Sequence, residues 1–214
     1  MSEHSGEHWP GEQVVEIEAP PEADDEDTGE EPAAVVEEVE QEPEQLAGHA
    51  PGALDIPDGL DVLEGSPHGT RKRIAIVLSR FNGDVTNRLL ESALAELERA
   101  GIEREHVTVM PVPGAFELPL GAMALAKTRR YVAIVALGCV IRGETAHFEY
   151  VAGEAASGLQ LAALETGVPV AFGVLTTENL DQAMARADKG AEAVRTALEM
   201  ADLFNQLRAT AKAT

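Results

Sequence analysis

The chain has 214 residues, with 38 Asp and Glu against 16 Lys and Arg and a formal net charge of -22, which allows one ordinary domain and a tail. A single cysteine, Cys139, excludes an internal disulfide and any multi-cysteine metal site. The sequence carries neither a basic start followed by an apolar stretch nor an apolar run of bilayer-spanning length, so neither secretion nor membrane insertion is expected and the cytoplasm is the default location.

The charge is unevenly placed. Residues 1–70 hold 21 acids and no Lys or Arg, whereas the rest of the chain holds 17 acids and all 16 bases. Blocks such as EADDEDTGEEP carry few large apolar residues and cannot bury enough surface to offset their ordering entropy. Residues 1–60 are therefore expected to form an acidic, Pro-rich disordered extension, followed by a domain at 61–214. The extension reads either as a docking arm for a basic partner or as a solubilising tail. The near-neutral body offers no basic patch suited to a phosphate backbone, which argues against nucleic acid as a partner.

From Arg71 onward two periods alternate. RIAIVLS (73–79), HVTVMPV (106–112), YVAIVAL (131–137) and PVAFGVL (169–175) are short apolar runs rich in β-branched residues, the pattern of strands buried on both faces. Between them lie helical stretches: TNRLLESALAELERA ending at Gly101, LPLGAMALAKT, and HFEYVAGEAASGLQLAALET ending at Gly167. ENLDQAMARA and a final amphipathic AEAVRTALEMADLFNQLRA follow. Repeated β-α units imply a flavodoxin-like, three-layer α/β/α sandwich with a four-stranded parallel sheet.

Ligands of such sheets bind beyond the carboxyl ends of the strands, and the unusual residues lie there: RFN (80–82), PGAFELP (113–119), GCVIRGETAH (138–147) and TTEN (176–179). Gly143-Glu144-Thr145 precede a helix, so their amides suit a phosphate at its N-terminus; the alternative is an ordinary cap supplied by Thr145. His147, in the first helical turn, is placed to move protons near neutral pH, or is a surface or capping histidine. A metal reading of His147-Phe148-Glu149 fails, because helical neighbours lie three and four apart. Phe81 is either the stacking face of an aromatic ligand pocket, with Asn82 giving amide hydrogen bonds, or core packing under the first helix. Glu117, set between apolar residues, requires donors, either ligand hydroxyls or the following helix N-terminus. Cys139 reads as a small buried filler without reactivity.

In order and along essentially all of 73–208, the segments RFN, PGAFELP, GCVIRGETAHFEY, FGVLTTEN and DKGAEA resemble the 6,7-dimethyl-8-ribityllumazine synthase family, whose members perform the penultimate step of riboflavin biosynthesis. The resemblance implies condensation of 5-amino-6-(D-ribitylamino)uracil with 3,4-dihydroxy-2-butanone 4-phosphate, a transferase reaction that releases phosphate and water without metal or other cofactor. By resemblance, Phe81 stacks on the pyrimidine, and Ala115, Phe116 and Glu117 with Cys139, Val140 and Ile141 line the uracil and ribityl site. Glu117 takes ribityl hydroxyls, Glu144 and Thr145 present amides to the phosphate, Arg186 pairs with it, and His147 is the proton donor and acceptor.

The same resemblance implies a homo-oligomer, a pentamer with Phe172 donated across the subunit interface, in many members stacked into a shell, and names riboflavin synthase as a candidate partner. The chain departs from the family where the Gly-rich link after Arg186 is shortened to ADKG, which leaves the shell and the placement of Lys189 open. VLEG (62–65) is the candidate for the short strand that pairs with an adjacent subunit. Readings from other classes are a non-catalytic scaffold of the same fold and a flavin- or phosphate-binding module; retention of Phe81, Glu117, His147 and Arg186 together argues against both.

Overall fold

The computed structural model describes residues 55–69 and 72–213, so most of the acidic extension lies outside the described residues. Four strands, β1 (Ile74–Ser79), β2 (Val107–Val112), β3 (Ala133–Ile141) and β4 (Val170–Thr177), alternate with helices α1 (Gly83–Arg99), α2 (Leu118–Lys127), α3 (His147–Thr166), α4 (Leu180–Met184) and α5 (Lys189–Ala213). All strand pairs are parallel, in the order β2-β1-β3-β4. The chain thus builds outward from β1 on one side, then returns to place β3 on the other, and the switch in direction falls between β1 and β3.

Strand periodicity sorts the core into two layers. On β1, Ile74, Ile76 and Leu78 pack with α1 and α5 residues such as Leu89, Leu97, Val194 and Leu198. The intervening Ala75 and Val77 pack with Leu118, Ala122, Leu125 and Leu159 of α2 and α3. Both faces of β1 are buried, which is why that run shows no polar alternation.

Three local expectations need correction. β2 is not buried on both faces: Thr108, Val109 and Pro111 are exposed, because β2 is an edge strand, the position that tolerates a proline without a ladder donor. β4, the other edge, leaves Phe172 and Thr176 exposed. β3 does not end at Leu137 but continues through Gly138 to Ile141, pairing Gly138 with Val174 and Ile141 with Thr177. A Cβ on Gly138 would stand 2.9 Å from Leu118 Cδ1, so this glycine permits close packing of α2 and does not break the strand.

Helix ends follow ordinary rules. α3 stops at Gly167, which is left-handed (φ 63°) and donates its N-H to the Ala163 carbonyl at 2.9 Å. α5 begins where it crosses α1, and Gly190 lies so close that an added Cβ would run into the Leu89 carbonyl. Residues 62–65 form no strand in the single chain. They run onto α5, where Gln206 Nε2 donates to the Glu64 carbonyl at 2.7 Å and the Ser66 N-H to Asp202 at 3.1 Å. Lys72 Nζ lies 3.6 Å from the same carboxylate, and these donors hold Asp202 below the usual carboxylate range, the Gln206 bond most of all. Among the described residues no helix is long and apolar enough to cross a membrane.

Candidate active site

The turn leaving β1 builds the first wall. Asn82 is left-handed (φ 57°, ψ 49°), a conformation that Asn tolerates better than most residues, and it turns the chain directly into α1. Its side chain is already engaged, Nδ2 donating to the Cys139 carbonyl at 2.9 Å. Phe81 is 69% exposed, so its ring stands at the rim and is not core packing under α1.

The second wall is the 3-10 turn Ala115–Glu117 before α2. Glu117 accepts the Gly114 N-H at 2.8 Å and sits at the N-cap of α2, where the dipole favours a carboxylate. A carboxylate accepts several hydrogen bonds, so this one keeps capacity for a ligand donor. Phe116, 56% exposed, places a second ring on the rim.

The floor and third wall come from β3 and α3. Cys139 is buried, and burial pushes its thiol up to about 11, which keeps it protonated and inert. His147 opens α3 after the exposed loop 142–146. The N-cap position is Ala146, and no side chain caps the helix. Thr145 is therefore not the capping residue; the Glu149 N-H donates to the Ala146 carbonyl at 3.0 Å, and no side chain takes the amides ahead of it at the start of this 20-residue helix, which suits them to a ligand or solvent.

These walls enclose a cavity of about 580 Å³ lined by Phe81, Asn82, Ala115, Phe116, Glu117, Cys139, Val140, Ile141, Thr145 and His147, all expected from the sequence. Gly114, Gly143, Phe148, Tyr150 and Val151 complete the lining. Tyr150 and Val151 stand three and four residues beyond His147 on α3, so helical spacing alone placed them on its face. The cavity opens between the ends of β1 and β3, at the point where the strand order changes direction, the favoured ligand position in open α/β sheets.

A model of the 6,7-dimethyl-8-ribityllumazine synthase family matches residues 71–205. The chain belongs to the lumazine synthase family. Curated lumazine synthases from Yersinia pestis (strain Pestoides F) and Yersinia pseudotuberculosis serotype O:1b (strain IP 31758) are each 51% identical over 155 residues, covering 70% of this chain and 99% of the relative. The family match begins at residue 71 and so lies within the domain expected at 61–214.

Four expected site residues lie outside the cavity lining. Glu144 sits in the loop between the lining residues Gly143 and Thr145. Phe172, on the edge strand β4, lines a separate cleft of about 240 Å³ with Lys189 and Glu192; Lys189 Nζ pairs with Glu192 at 2.5 Å. Arg186 follows α4 and donates to the Gln182 carbonyl at 3.1 Å. Among the described residues, the grouping with metal-ligand spacing is Glu103, Glu105 and His106. It precedes β2, at the opposite end of the sheet from the cavity, and takes no part in the site.

Proposed function

We propose that the chain condenses 5-amino-6-(D-ribitylamino)uracil with 3,4-dihydroxy-2-butanone 4-phosphate to 6,7-dimethyl-8-ribityllumazine in the cavity between β1 and β3. The observation that carries this reading is the convergence of Phe81, Glu117 and His147 on one cavity of a chain in the lumazine synthase family. The exposed Phe81 ring suits stacking on the pyrimidine, Glu117 is available to ribityl hydroxyls, and the backbone of Cys139–Ile141 edges the uracil. The uncapped first turn of α3, with Glu144 and Thr145 ahead of it, suits the butanone phosphate.

The reaction begins with attack of the uracil 5-amino group on the ketone and loss of water to an imine. Elimination then expels phosphate, and the ribitylamino nitrogen closes the ring with loss of a second water. Each step moves a proton near the phosphate-bearing carbon chain, which is the task assigned to His147. Holding both substrates in reacting geometry supplies much of the remaining acceleration, and no protein nucleophile is required.

Within one chain Phe172, Arg186 and Lys189 do not reach the cavity lining, and Phe172 is 47% exposed on a sheet edge. This supports a homo-oligomer, a pentamer in this reading, in which β4 of one subunit completes the site of the next and Arg186 contributes its planar donors to the phosphate. Riboflavin synthase, which takes up the lumazine, is the protein partner the reading proposes, and the cytoplasm its location. The test is the purified full chain with both substrates, each omitted in turn. Lumazine and phosphate are expected in equal amounts and only with both present; a folded oligomer that forms neither overturns the proposal.

A further inference from the structure

Arg142 stands between the end of β3 and the loop leading to His147, and lines no part of the cavity. Its backbone N-H continues the β3–β4 ladder to the Thr177 carbonyl at 2.9 Å. Its side chain joins three elements. Nη1 donates to Glu149 Oε1 of α3 at 3.0 Å, Nε lies 2.9 Å from Glu178 Oε2 after β4, and the guanidinium carbon stands 4.4 Å from the centre of the Phe148 ring. Both carboxylates hold the guanidinium charged, with the hydrogen bond to Glu149 the larger influence.

The partners lie on both sides of the anion loop. Phe148 and Glu149 follow His147 directly, so the clasp fixes the first turn of α3. Glu178 leads toward Arg186: its N-H donates to Gln182 Oε1 at 3.0 Å, and Arg186 Nη1 donates to the Gln182 carbonyl at 3.1 Å. A planar guanidinium serves such a three-way arrangement because its donors diverge in one plane while its face stacks on a ring. Exposed ion pairs contribute little to stability; the consequence here is geometric.

We infer that Arg142 is a positioning residue which locks the loop 143–147 to the Glu178–Gln182 turn and so sets the phosphate cradle and His147 in register. This rests on the site reading given above. A lysine has neither the fork nor the flat face, so it replaces the clasp only in part.

The experiment compares Arg142→Met, Arg142→Lys and the double variant Glu149→Ala/Glu178→Ala with His147→Ala in the full chain, measuring kcat and KM for each substrate and the thermal midpoint. Arg142→Met is expected to lower kcat/KM for the butanone phosphate by about tenfold or more, a typical loss when a reacting group is misplaced. The uracil KM should stay within about twofold and the thermal midpoint near wild type, and Arg142→Lys should recover part of the loss. The double variant, which keeps the arginine but removes its anchors, should reproduce the Met phenotype.

Normal kinetics in Arg142→Met overturns the inference. So does a double variant with unchanged or improved phosphate KM beside a defective Met variant, since that pattern belongs to an arginine that binds phosphate directly. Normal kinetics in a folded His147→Ala chain overturns the site reading instead, so the two failures are distinguishable.

Discussion

Asn82 Nδ2 donates to the carbonyl of Cys139 at 2.9 Å, joining residues 57 apart in sequence across the crevice between β1 and β3. The bond ties the turn after β1 to the end of β3, and the exposed Phe81 stands beside it at the rim. Asn82→Ala removes the bond and strains the backbone, and should destabilise the fold by about 1–2 kcal/mol. Asn82→Gly keeps the backbone conformation and should lose less stability. Both should raise KM for the ribitylaminouracil. Chemical unfolding with kinetics on the uracil checks the pair; equal stability of the Ala variant and wild type would contradict the role.

Cys139 lies under the cavity with its thiol raised to about 11 by burial. At pH 8 only about one thiol in a thousand is then ionised. An aromatic disulfide reagent should leave the native chain unlabelled over minutes and modify it promptly in denaturant, and labelling should rise above pH 10. Rapid native labelling at pH 8 would show the thiol to be open and activated.

Gly190 should be intolerant of a side chain, because the added Cβ of Gly190→Ala meets the Leu89 carbonyl on the facing helix. Backbone has no rotamer to yield, so α5 must shift from α1, at a cost of about 1–3 kcal/mol. Gly143→Ala, whose Cβ meets nothing within 4 Å, serves as the stability control. Thermal midpoints of the two variants decide the point; a Gly190→Ala midpoint equal to the control would contradict the packing.

The Asp202 cluster gives an acid dependence with a definite sign. Its carboxyl is held below its ordinary value by Gln206, Ser66 and Lys72, so its contribution is present above the unfolded carboxylate range near pH 4 and is lost as pH falls through the folded value. Between pH 5 and pH 3 the wild type should lose stability more steeply than Asp202→Asn, as followed by denaturant midpoints. Parallel pH curves would contradict it.

The acidic extension adds a prediction from sequence. Residues 1–60 carry 19 acids and no Lys or Arg, and in the proposed pentamer such charge, repeated around the ring, would act as an electrostatic spacer. Deleting them should leave lumazine formation unchanged, while association of rings into larger particles should become easier at low salt; added salt should narrow the difference between the two forms as screening shortens the repulsion. Particle sizes at low and high ionic strength, with activity alongside, check both parts. Loss of activity, or identical salt response, would contradict the spacer.

Much of the architecture was legible in the sequence because β1 and β3 are unbroken apolar runs and the helices carry clear stops such as Gly167. The length of β3 was not, because Gly138 reads as a breaker until Leu118 is seen packed against it. The edge position of β2 had a signal in Pro111 that its apolar run masked. At the site, the motifs placed Phe81, Glu117 and His147 at the rim, since chain order and strand ends suffice for that. The Asn82–Cys139 bond and the Arg142 clasp depend on pairing distant elements, which no local pattern encodes. Phe172 illustrates a further limit: its place on an edge, outside the cavity of its own chain, becomes informative only once the fold is known.

The most direct test of the account is the rate of 6,7-dimethyl-8-ribityllumazine formation by His147→Ala beside wild type, with thermal midpoint and oligomer size measured on the same samples. Loss of one acid-base group beside the phosphate should lower kcat by roughly one to two decades or more, with residual activity from the positioning of both substrates and no change in fold or assembly. A variant of unchanged stability that makes lumazine at the wild-type rate would contradict the placement of the chemistry in this cavity.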